Sequence, residues 1–247
     1  MKTPLAYLFI IFALFSCKDI DKLTFEPINF NAGSCEACPK VSVTVPNALE
    51  DSKLADAINN ALKEEVISLL TFDDEINATT ITEAITSFKN GFQELKNIYP
   101  EEAIGWEAKI EGKVSYESTT MLTIELSSYL FTGGAHGYSA IRFLNFNKKE
   151  GAELEDWELF ESKKDFIRFA EAKFRIQEDI PQDSPINSTG FMFEKNEFYL
   201  PENIGFTKDG IQLHYNQYDV ASYADGPIVL TLPYNEVKNY LSLKIKS

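Results

Sequence analysis

Two short loops contain the residue types best suited to binding a ligand. In the first, Gly133, Gly134 and Gly137 bracket His136. Glycine accepts positive φ angles and allows close backbone approach, so this run predicts a sharply bent loop. Such a loop could present an imidazole to a ligand or direct backbone N–H groups toward an anion. The alternative is a strand-to-strand turn whose histidine side chain bonds the neighbouring backbone.

The second loop region is rich in tyrosine. Its tyrosines and carboxylates lie close together in the sequence: Tyr215, Tyr218, Asp219, Tyr223, Asp225 and Tyr234. A tyrosine ring offers flat apolar area and a hydroxyl group, which suits stacking on a sugar or anchoring a protein interface. The alternative is a sheet edge whose tyrosine hydroxyls are satisfied internally. The binding residues predicted from the two loops are Gly133, Gly134, His136, Gly137, Tyr218, Tyr223 and Asp225.

The sequence gives little support for catalysis. Its two histidines, His136 and His214, are isolated, and no nucleophile or partner is recognisable for either. The spacing of Asp219 and Asp225 does not indicate a carboxylate pair for glycoside hydrolysis. We therefore predict no catalytic residue, no metal site and no cofactor. A hydrolase acting on glycan, with His136 and an aspartate in undefined roles, is the competing interpretation.

Charge narrows the set of partners. The 247 residues include 38 acidic and 23 basic side chains, which gives a formal net charge of -15. So acidic a surface repels phosphate backbones, and we expect no nucleic-acid partner. The same field attracts cationic molecules, which favours a basic protein as a partner.

The start of the chain is typical of an export signal. Residues 5–15 form an apolar run of 11 residues, whereas a membrane-spanning helix needs about 20. The run ends in Leu14-Phe15-Ser16-Cys17, which resembles the bacterial lipoprotein box. The resemblance implies cleavage before Cys17 and lipidation of Cys17, and hence a membrane-anchored, extracytoplasmic protein. An ordinary export signal with a chance cysteine is the alternative.

Two further inferences concern the membrane and the charge. Residues 18–21, KDID, resemble the surface-export signal of lipoproteins in Bacteroidota, which points to an outer membrane and its outer face. Removal of Lys2 with the signal changes the formal net charge from -15 to -16.

Cys35 and Cys38 are the two remaining cysteines. An oxidising compartment favours a disulfide between them. A redox site is an alternative, but it needs Cys-x-x-Cys between a strand and a helix, whereas this pair precedes the first predicted strand. A zinc site is a second alternative, but it needs two more ligands, and both histidines are distant in the sequence.

Apolar periodicity predicts the elements that position the two loops. Strands are predicted at 41–45, where Pro46 ends the strand, and at 106–116, 122–131 and 138–146. Helices are predicted over 54–70, with Asp51 or Ser52 as the cap, and over 81–95, with the capping box Thr80-x-x-Glu83. Farther along, the pattern indicates a helix over 166–174, a mobile loop over 182–193, strands at 198–200, 204–207, 211–215 and 228–232, and a helix over 233–241.

This order of elements predicts the fold class. Antiparallel meander sheets with helices packed on them form an α+β protein. We expect residues 1–16 to be a signal peptide, residues 17–39 a lipidated tether, and residues 40–147 and 148–247 two sequential sub-domains.

Two longer stretches resemble a known family. The first is YLFTGGAHGY at 129–138, followed by FLNFN at 143–147 and by residues 154–160; the second is FTKDGIQLHY at 206–215, followed by YDVASYADG at 218–226 and IVLTLPY at 228–234. Together they resemble the two-part extracytoplasmic module beside the catalytic domain of the peptidoglycan deacetylase PdaC. The same module resembles the ectodomain of RsiV-type anti-sigma factors, which sense lysozyme. The resemblance covers about residues 40–243.

The resemblance implies a PdaC-type N-terminal domain over 40–147 and an RsiV-like C-terminal domain over 148–247. The sequence departs from the family in two places: Asn216-Gln217 precede Tyr218 where the family often has a proline, and Trp157-Glu158-Leu159-Phe160 stands where Asp-Leu-Phe is usual. The His-x-x-x-His pair of a deacetylase and the sigma-binding segment have no counterpart in the sequence.

We therefore expect a non-catalytic lipoprotein that acts as a binding or sensor module at the cell envelope. The expected partners are the membrane, through the lipid anchor, and either a lysozyme-like basic protein or cell-wall glycan. The alternatives are a glycan-acting hydrolase and a structural envelope protein.

Overall fold

The computed structural model describes residues 23–33, 38–72, 77–100 and 105–243. The first half contains a sheet of six strands in chain order: β1 (Phe25–Ala32), β2 (Lys40–Ala48), β3 (Glu107–Glu117), β4 (Met121–Phe131), β5 (Tyr138–Asn147) and β6 (Ala152–Glu153). Neighbouring strands are antiparallel, except that β2 and β3 are parallel. That exception follows from the two helices between them, α1 (Lys53–Leu70) and α2 (Ile81–Ile98), which carry the chain back across the sheet.

The caps predicted for α1 and α2 are present. The Ser52 hydroxyl accepts the Ala55 N–H at 3.2 Å, and Thr80 forms the capping box with Glu83. Both helices lay their apolar stripes on the same face of the sheet. The core that they form with it includes Ile58, Leu62, Phe88, Phe92, Val43, Ile110, Ile124 and Leu144.

Two expectations for the start of the chain need correction. The predicted tether over 17–39 contains β1, and β2 continues through Pro46 to Ala48. β1 is an edge strand with mostly exposed side chains, and its apolar alternation is confined to the short run Ile28, Phe30 and Ala32. Pro46 lies opposite Pro27 in the β1–β2 ladder. Proline has no N–H to donate, so two opposed prolines are compatible with a non-hydrogen-bonded pair of an antiparallel ladder.

The apolar side chains of the long strand β3 do not all lie on one face of the sheet, although the alternation of its sequence predicts that they do. Its register against β4 shifts between Val114 and Tyr116. Such a bulge adds one residue and moves the following side chain to the other face. Val114 therefore packs with the helices, whereas Tyr116 packs with the second half of the chain.

The second half packs a smaller sheet against helices. This sheet contains β7 (Asn203–Thr207), β8 (Gly210–Tyr215) and β9 (Ile228–Leu232), and the helices are α3 (Lys163–Gln177) and α4 (Tyr234–Val237). Phe166, Ala170 and Phe174 form the buried stripe of α3, as predicted. The α+β class and the two sequential parts are thus confirmed.

Three predictions for the second half are wrong. Residues 198–200 form no strand, because Phe198 packs into an aromatic cluster with Phe174 and Phe193. The helix predicted over 233–241 ends at Val237; a turn follows over 238–240, and Leu241 then forms an isolated β-bridge with Phe160. The segment 182–193, expected as a mobile loop, is anchored by buried Ile186 and by Phe193.

The two halves meet on the face of the larger sheet opposite α1 and α2. Gly205 of β7 lies against β5, and a Cβ there would come within 2.2 Å of the Phe143 ring. Asn145 Nδ2 donates to Ile204 O at 2.7 Å across the same junction. Within the described part of the chain, no helix has the length and apolar character needed to cross a membrane.

Candidate functional site

The two loops singled out in the sequence meet at one end of this junction. The His136 ring stacks on the Tyr223 ring, with centroids 3.7 Å apart and planes 17° from parallel. The Tyr223 hydroxyl donates to Gly137 O at 3.4 Å, and the Tyr218 ring lies 5.6 Å from that of Tyr223. We call His136, Tyr218 and Tyr223 the aromatic patch. Their contact links the loop before β5 to the loop after β8.

The three glycines of the first loop have different roles. Gly133 and Gly134 have φ angles of +108° and +89°, and a Cβ on either would meet nothing within 4 Å. They supply the left-handed conformations of an open turn. At Gly137, a Cβ would lie 2.5 Å from the Tyr129 ring. Glycine at this position therefore lets Tyr129 pack directly on the backbone beneath the aromatic patch.

The His136 side chain combines the two roles left open by the sequence. It is exposed, and its Nδ1 lies 3.3 Å from Gly137 O. One ring edge thus contacts the backbone, while one face covers Tyr223. The remaining surface of the imidazole is available to a partner.

Tyr218 and Asp225 contribute to the site in different ways. Tyr218 is 55% exposed and has a φ angle of +72°, an uncommon conformation for a bulky residue that concentrates at functional sites. Asp225 Oδ2 accepts the Ser222 N–H at 3.1 Å and the Ser222 hydroxyl at 2.6 Å. Asp225 therefore holds the short 3-10 turn, Tyr223–Asp225, that presents Tyr223.

A cleft of about 510 Å³ opens beside the aromatic patch, between the larger sheet and the second half. We call it the junction cleft. Its lining consists of Lys109, Glu111, Ser127, Ser128, Tyr129, Ser139, Ala140, Ile141, His214, Asn216, Gln217 and Pro227. Burial lowers the pKa of His214, with a smaller opposing effect from Glu125. His214 thus offers a neutral ring and not a cation near neutral pH.

Comparison with known proteins finds a different family in each half of the chain. Residues 34–139 match the family described as deacetylase PdaC, and residues 153–235 match a protein family of unknown function, DUF3298. The chain is therefore a two-part module of a PdaC-type and a DUF3298-type segment. The resemblance to the PdaC module is confirmed, whereas the likeness to RsiV-type ectodomains stays a prediction.

Solved structures share the fold across both segments. A DUF3298 family member from Bacteroides fragilis superposes with a TM-score of 0.72 at 20% identity, over 92% of this chain and 96% of that one. A DUF3298 family protein from Pseudomonas aeruginosa gives a TM-score of 0.66 at 19% identity, over 90% and 95%. No curated protein matches the chain.

The PdaC-type and DUF3298-type segments are fastened together next to the aromatic patch. Asn216 Oδ1 accepts the Ile141 N–H at 2.8 Å, and Asn216 Nδ2 donates to Ile141 O at 3.1 Å. The Tyr138 hydroxyl donates to Gln217 O at 3.4 Å. The Asn216-Gln217 pair thus docks the Tyr218 loop onto the edge of β5.

Sequence reasoning missed the junction cleft and Asn216. Four of the cleft residues of β3 and β4 occupy positions that alternation assigns to a solvent face: Lys109, Glu111, Ser127 and Tyr129. That face becomes a cleft wall only because the DUF3298-type segment packs beside it. The paired hydrogen bonds of Asn216 likewise leave no local signal in the sequence.

The remaining predicted site residues are cysteines. Cys38 is disulfide-bonded, but Cys35 and Cys17 lie outside the described residues, so the Cys35–Cys38 pairing and the lipidation of Cys17 stay predictions. In the described ranges, no group of three or more histidine, cysteine, aspartate or glutamate side chains is placed to hold a metal ion.

Proposed function

We propose that this two-part module is a non-catalytic, extracytoplasmic binding protein whose aromatic patch contacts a cationic protein of the lysozyme type. The observation that carries the proposal is the stack of His136 on Tyr223 beside exposed Tyr218. The stack brings aromatic residues from two separate loops into one surface at the segment junction. Tyrosine-rich clusters of this kind are typical anchors of protein interfaces.

The acidity of the chain supports a basic partner. A formal net charge of -15 produces a long-range attraction that speeds encounter with a cation. The aromatic patch would then act after encounter, because its buried contacts slow dissociation. The two contributions separate in kinetics, since salt screens long-range attraction much more than short-range packing.

Surface plasmon resonance with immobilised protein and soluble lysozyme tests the proposal. Tyr218→Ala and Tyr223→Ala should each weaken binding by about 1–3 kcal/mol, mostly through faster dissociation. Tyr99→Ala is the matched control, because Tyr99 is 52% exposed at the end of α2. The association rate should fall steeply as ionic strength rises past about 0.15 M, where the Debye length is about 8 Å.

Thermal melts of the same variants separate binding from folding. A patch that serves only to stabilise the fold predicts a lower melting temperature for Tyr223→Ala and no lysozyme binding by any form. Binding no stronger than that of an unrelated acidic protein would eliminate the lysozyme proposal.

Cell-wall glycan is a second candidate, favoured by the junction cleft. The cleft presents Ser127 and Ser139 beside the exposed ring of Tyr129, and the Lys109–Glu111 ion pair at 3.0 Å lies on its wall. Hydroxyl, charged and aromatic groups together suit a sugar chain. Incubation with purified peptidoglycan fragments tests this candidate: sedimentation with the glycan supports binding, and released sugars would indicate a hydrolase instead.

We also propose that a lipid on Cys17 anchors the protein to the outer membrane. Cys17→Ala should release the protein from the membrane fraction of the producing bacterium. A Cys17→Ala protein that still partitions fully into detergent would exclude this anchor.

A further inference from the structure

One buried side chain of the junction cleft has hydrogen-bonding groups that the protein does not use. His214 of β8 lines the cleft and is only 8% exposed. Neither of its ring nitrogens forms a hydrogen bond with a described residue, and neither is sealed off by the surrounding protein. Buried polar groups are almost always bonded. These two nitrogens, which are accessible from the cleft, therefore indicate a partner that enters it.

The His214 ring is held in place and is uncharged. β8 is the central strand of the smaller sheet, where His214 lies opposite Asn203 and Val229. The ring meets that of Phe143 edge-on, with centroids 6.4 Å apart. Because burial lowers the pKa of His214, one ring nitrogen carries a proton near neutral pH and the other does not. The imidazole therefore offers one donor and one acceptor to a ligand.

Charge in the junction cleft is balanced within the protein. Lys109 and Glu111 are the charged side chains of the described lining, and they pair at 3.0 Å. Glu125, whose charge acts on His214, pairs with Lys113 at 2.8 Å. The described lining thus has no net charge, although the chain has a formal net charge of -15. A charged ligand would lose hydration there without gaining an opposite charge, so the cleft favours an uncharged one.

The remaining walls combine apolar and hydrogen-bonding surface. The ring of Tyr129 is 36% exposed, and the Ser127 hydroxyl donates to Glu111 O at 3.2 Å, so that its oxygen can accept from a ligand. Apolar surface comes from Ala140, Ile141 and Pro227. A sugar ring has C–H faces that pack on such surfaces and hydroxyl groups that need both donors and acceptors. The volume of about 510 Å³ lies within the range of about 300–1,000 Å³ that is typical of small-ligand sites.

We propose that the junction cleft binds an uncharged saccharide unit and that His214 hydrogen-bonds two of its hydroxyl groups. The N–H of the ring donates to one hydroxyl, and the other ring nitrogen accepts from a second. Tyr129 provides an aromatic face for the sugar ring, and Ser127 provides a further acceptor. This assignment rests on the second candidate function, cell-wall glycan, and does not depend on lysozyme binding at the aromatic patch.

The first experiment observes the His214 ring directly in the unmodified protein. The chain has two histidines, so long-range ¹H–¹⁵N spectra of protein purified without a histidine tag contain two imidazoles, which His136→Gln assigns. N,N′-diacetylchitobiose, an uncharged disaccharide, should shift the His214 nitrogens saturably and those of exposed His136 much less. If the His214 nitrogens do not respond, or if both rings respond equally and without saturation, the cleft holds only solvent and the proposal is overturned.

The second experiment removes the hydrogen-bonding groups of the ring. His214→Leu should weaken disaccharide binding at least about tenfold in calorimetric titrations, whereas His214→Gln, which keeps a donor and an acceptor, should weaken it less than about threefold. Gln212→Leu is the matched control, because Gln212 lies two residues away on β8 and outside the cleft lining. Unchanged affinity of a folded His214→Leu protein would overturn the proposal. If this variant does not fold, the ring-nitrogen shifts of the unmodified protein decide.

Sedimentation with peptidoglycan separates the cleft assignment from the candidate function. His214→Leu should sediment less than the unmodified protein. If the two sediment equally, glycan binds elsewhere on the protein, so the candidate function stands and the cleft assignment fails. If the unmodified protein does not sediment, the candidate function fails, and the disaccharide titration of the ring nitrogens still decides whether the cleft binds a saccharide.

Discussion

Thr123→Val tests the polar contact that joins the two segments. The Thr123 side chain is fully buried, and its hydroxyl donates to Asn145 Oδ1 at 2.8 Å. Asn145 in turn donates to the backbone of β7 at Ile204. Valine has nearly the same shape as threonine but no hydroxyl, so the substitution leaves Asn145 Oδ1 without this donor.

The expected magnitude follows from burial. A buried polar group that loses its partner costs about 1–3 kcal/mol. Thr44→Val is the matched control, because Thr44 Oγ1 donates to Asn29 Oδ1 over the same 2.8 Å at an exposed site. Water can replace the lost partner there, so the free energy of unfolding should change by less than about 0.5 kcal/mol. For a chain of this length, each kcal/mol corresponds to roughly 2–4 °C in Tm.

Urea unfolding of the purified variants, followed by circular dichroism and tryptophan fluorescence, measures both effects. We expect a lower midpoint for Thr123→Val at an unchanged slope, and almost no shift for Thr44→Val. Equal shifts for the two variants would show that burial of the Thr123–Asn145 bond does not contribute to holding the segments together.

Three further predictions concern the patch, the junction cleft and the cysteines. In Gly137→Ala the new Cβ would meet the outer end of the Tyr129 ring, which is partly exposed and can turn away, so the stability loss in thermal melts should be less than about 1 kcal/mol, and a larger loss would show that the ring is fixed. Burial lowers the folded-state pKa of His214 below 6.5, so the unfolded chain binds the proton more readily and stability should fall as the pH drops below 6.5; urea unfolding at pH 7.5 and 5.5 should show a smaller loss for His214→Gln, and an equal loss would contradict this assignment. Thiol titration should find Cys35 and Cys38 unreactive before reduction and reactive after it, and replacement of both by serine should lower Tm only slightly because the loop is short.

The sequence predicted the elements that depend on local patterns. Ser52 and Thr80 cap helices because their hydroxyls satisfy N–H groups a few residues away, and such bonds need no distant partner. The stripe of α3 and the strands β2 to β5 and β7 to β9 follow in the same way from the periodicity of apolar side chains. The bent glycine loop at 133–137 was also predictable, because glycine is the residue that accepts positive φ without strain.

Predictions from local sequence patterns were wrong where contacts with distant segments determine the structure. β1 is a strand because its backbone pairs with β2, although its own side chains are mostly exposed. The side chain of Tyr116 changes face because of a bulge against β4, which the alternation of β3 does not reveal. The apolar run at 198–200 forms no strand, because Phe198 packs into an aromatic cluster with Phe174 and Phe193.

The candidate site, like the fold, was only partly predictable from the sequence. The types of residue at His136, Tyr218 and Tyr223 could be chosen from the sequence, because glycine-rich and tyrosine-rich loops have recognisable chemistry. The contact between these residues could not be predicted, because Tyr223 and Gly137 are 86 residues apart and touch only when the second segment packs against the larger sheet. The junction cleft exists for the same reason: it is the space left between the larger sheet and the second segment, whose relative placement is set by the long-range contacts of Gly205 with Phe143 and of Asn216 with Ile141.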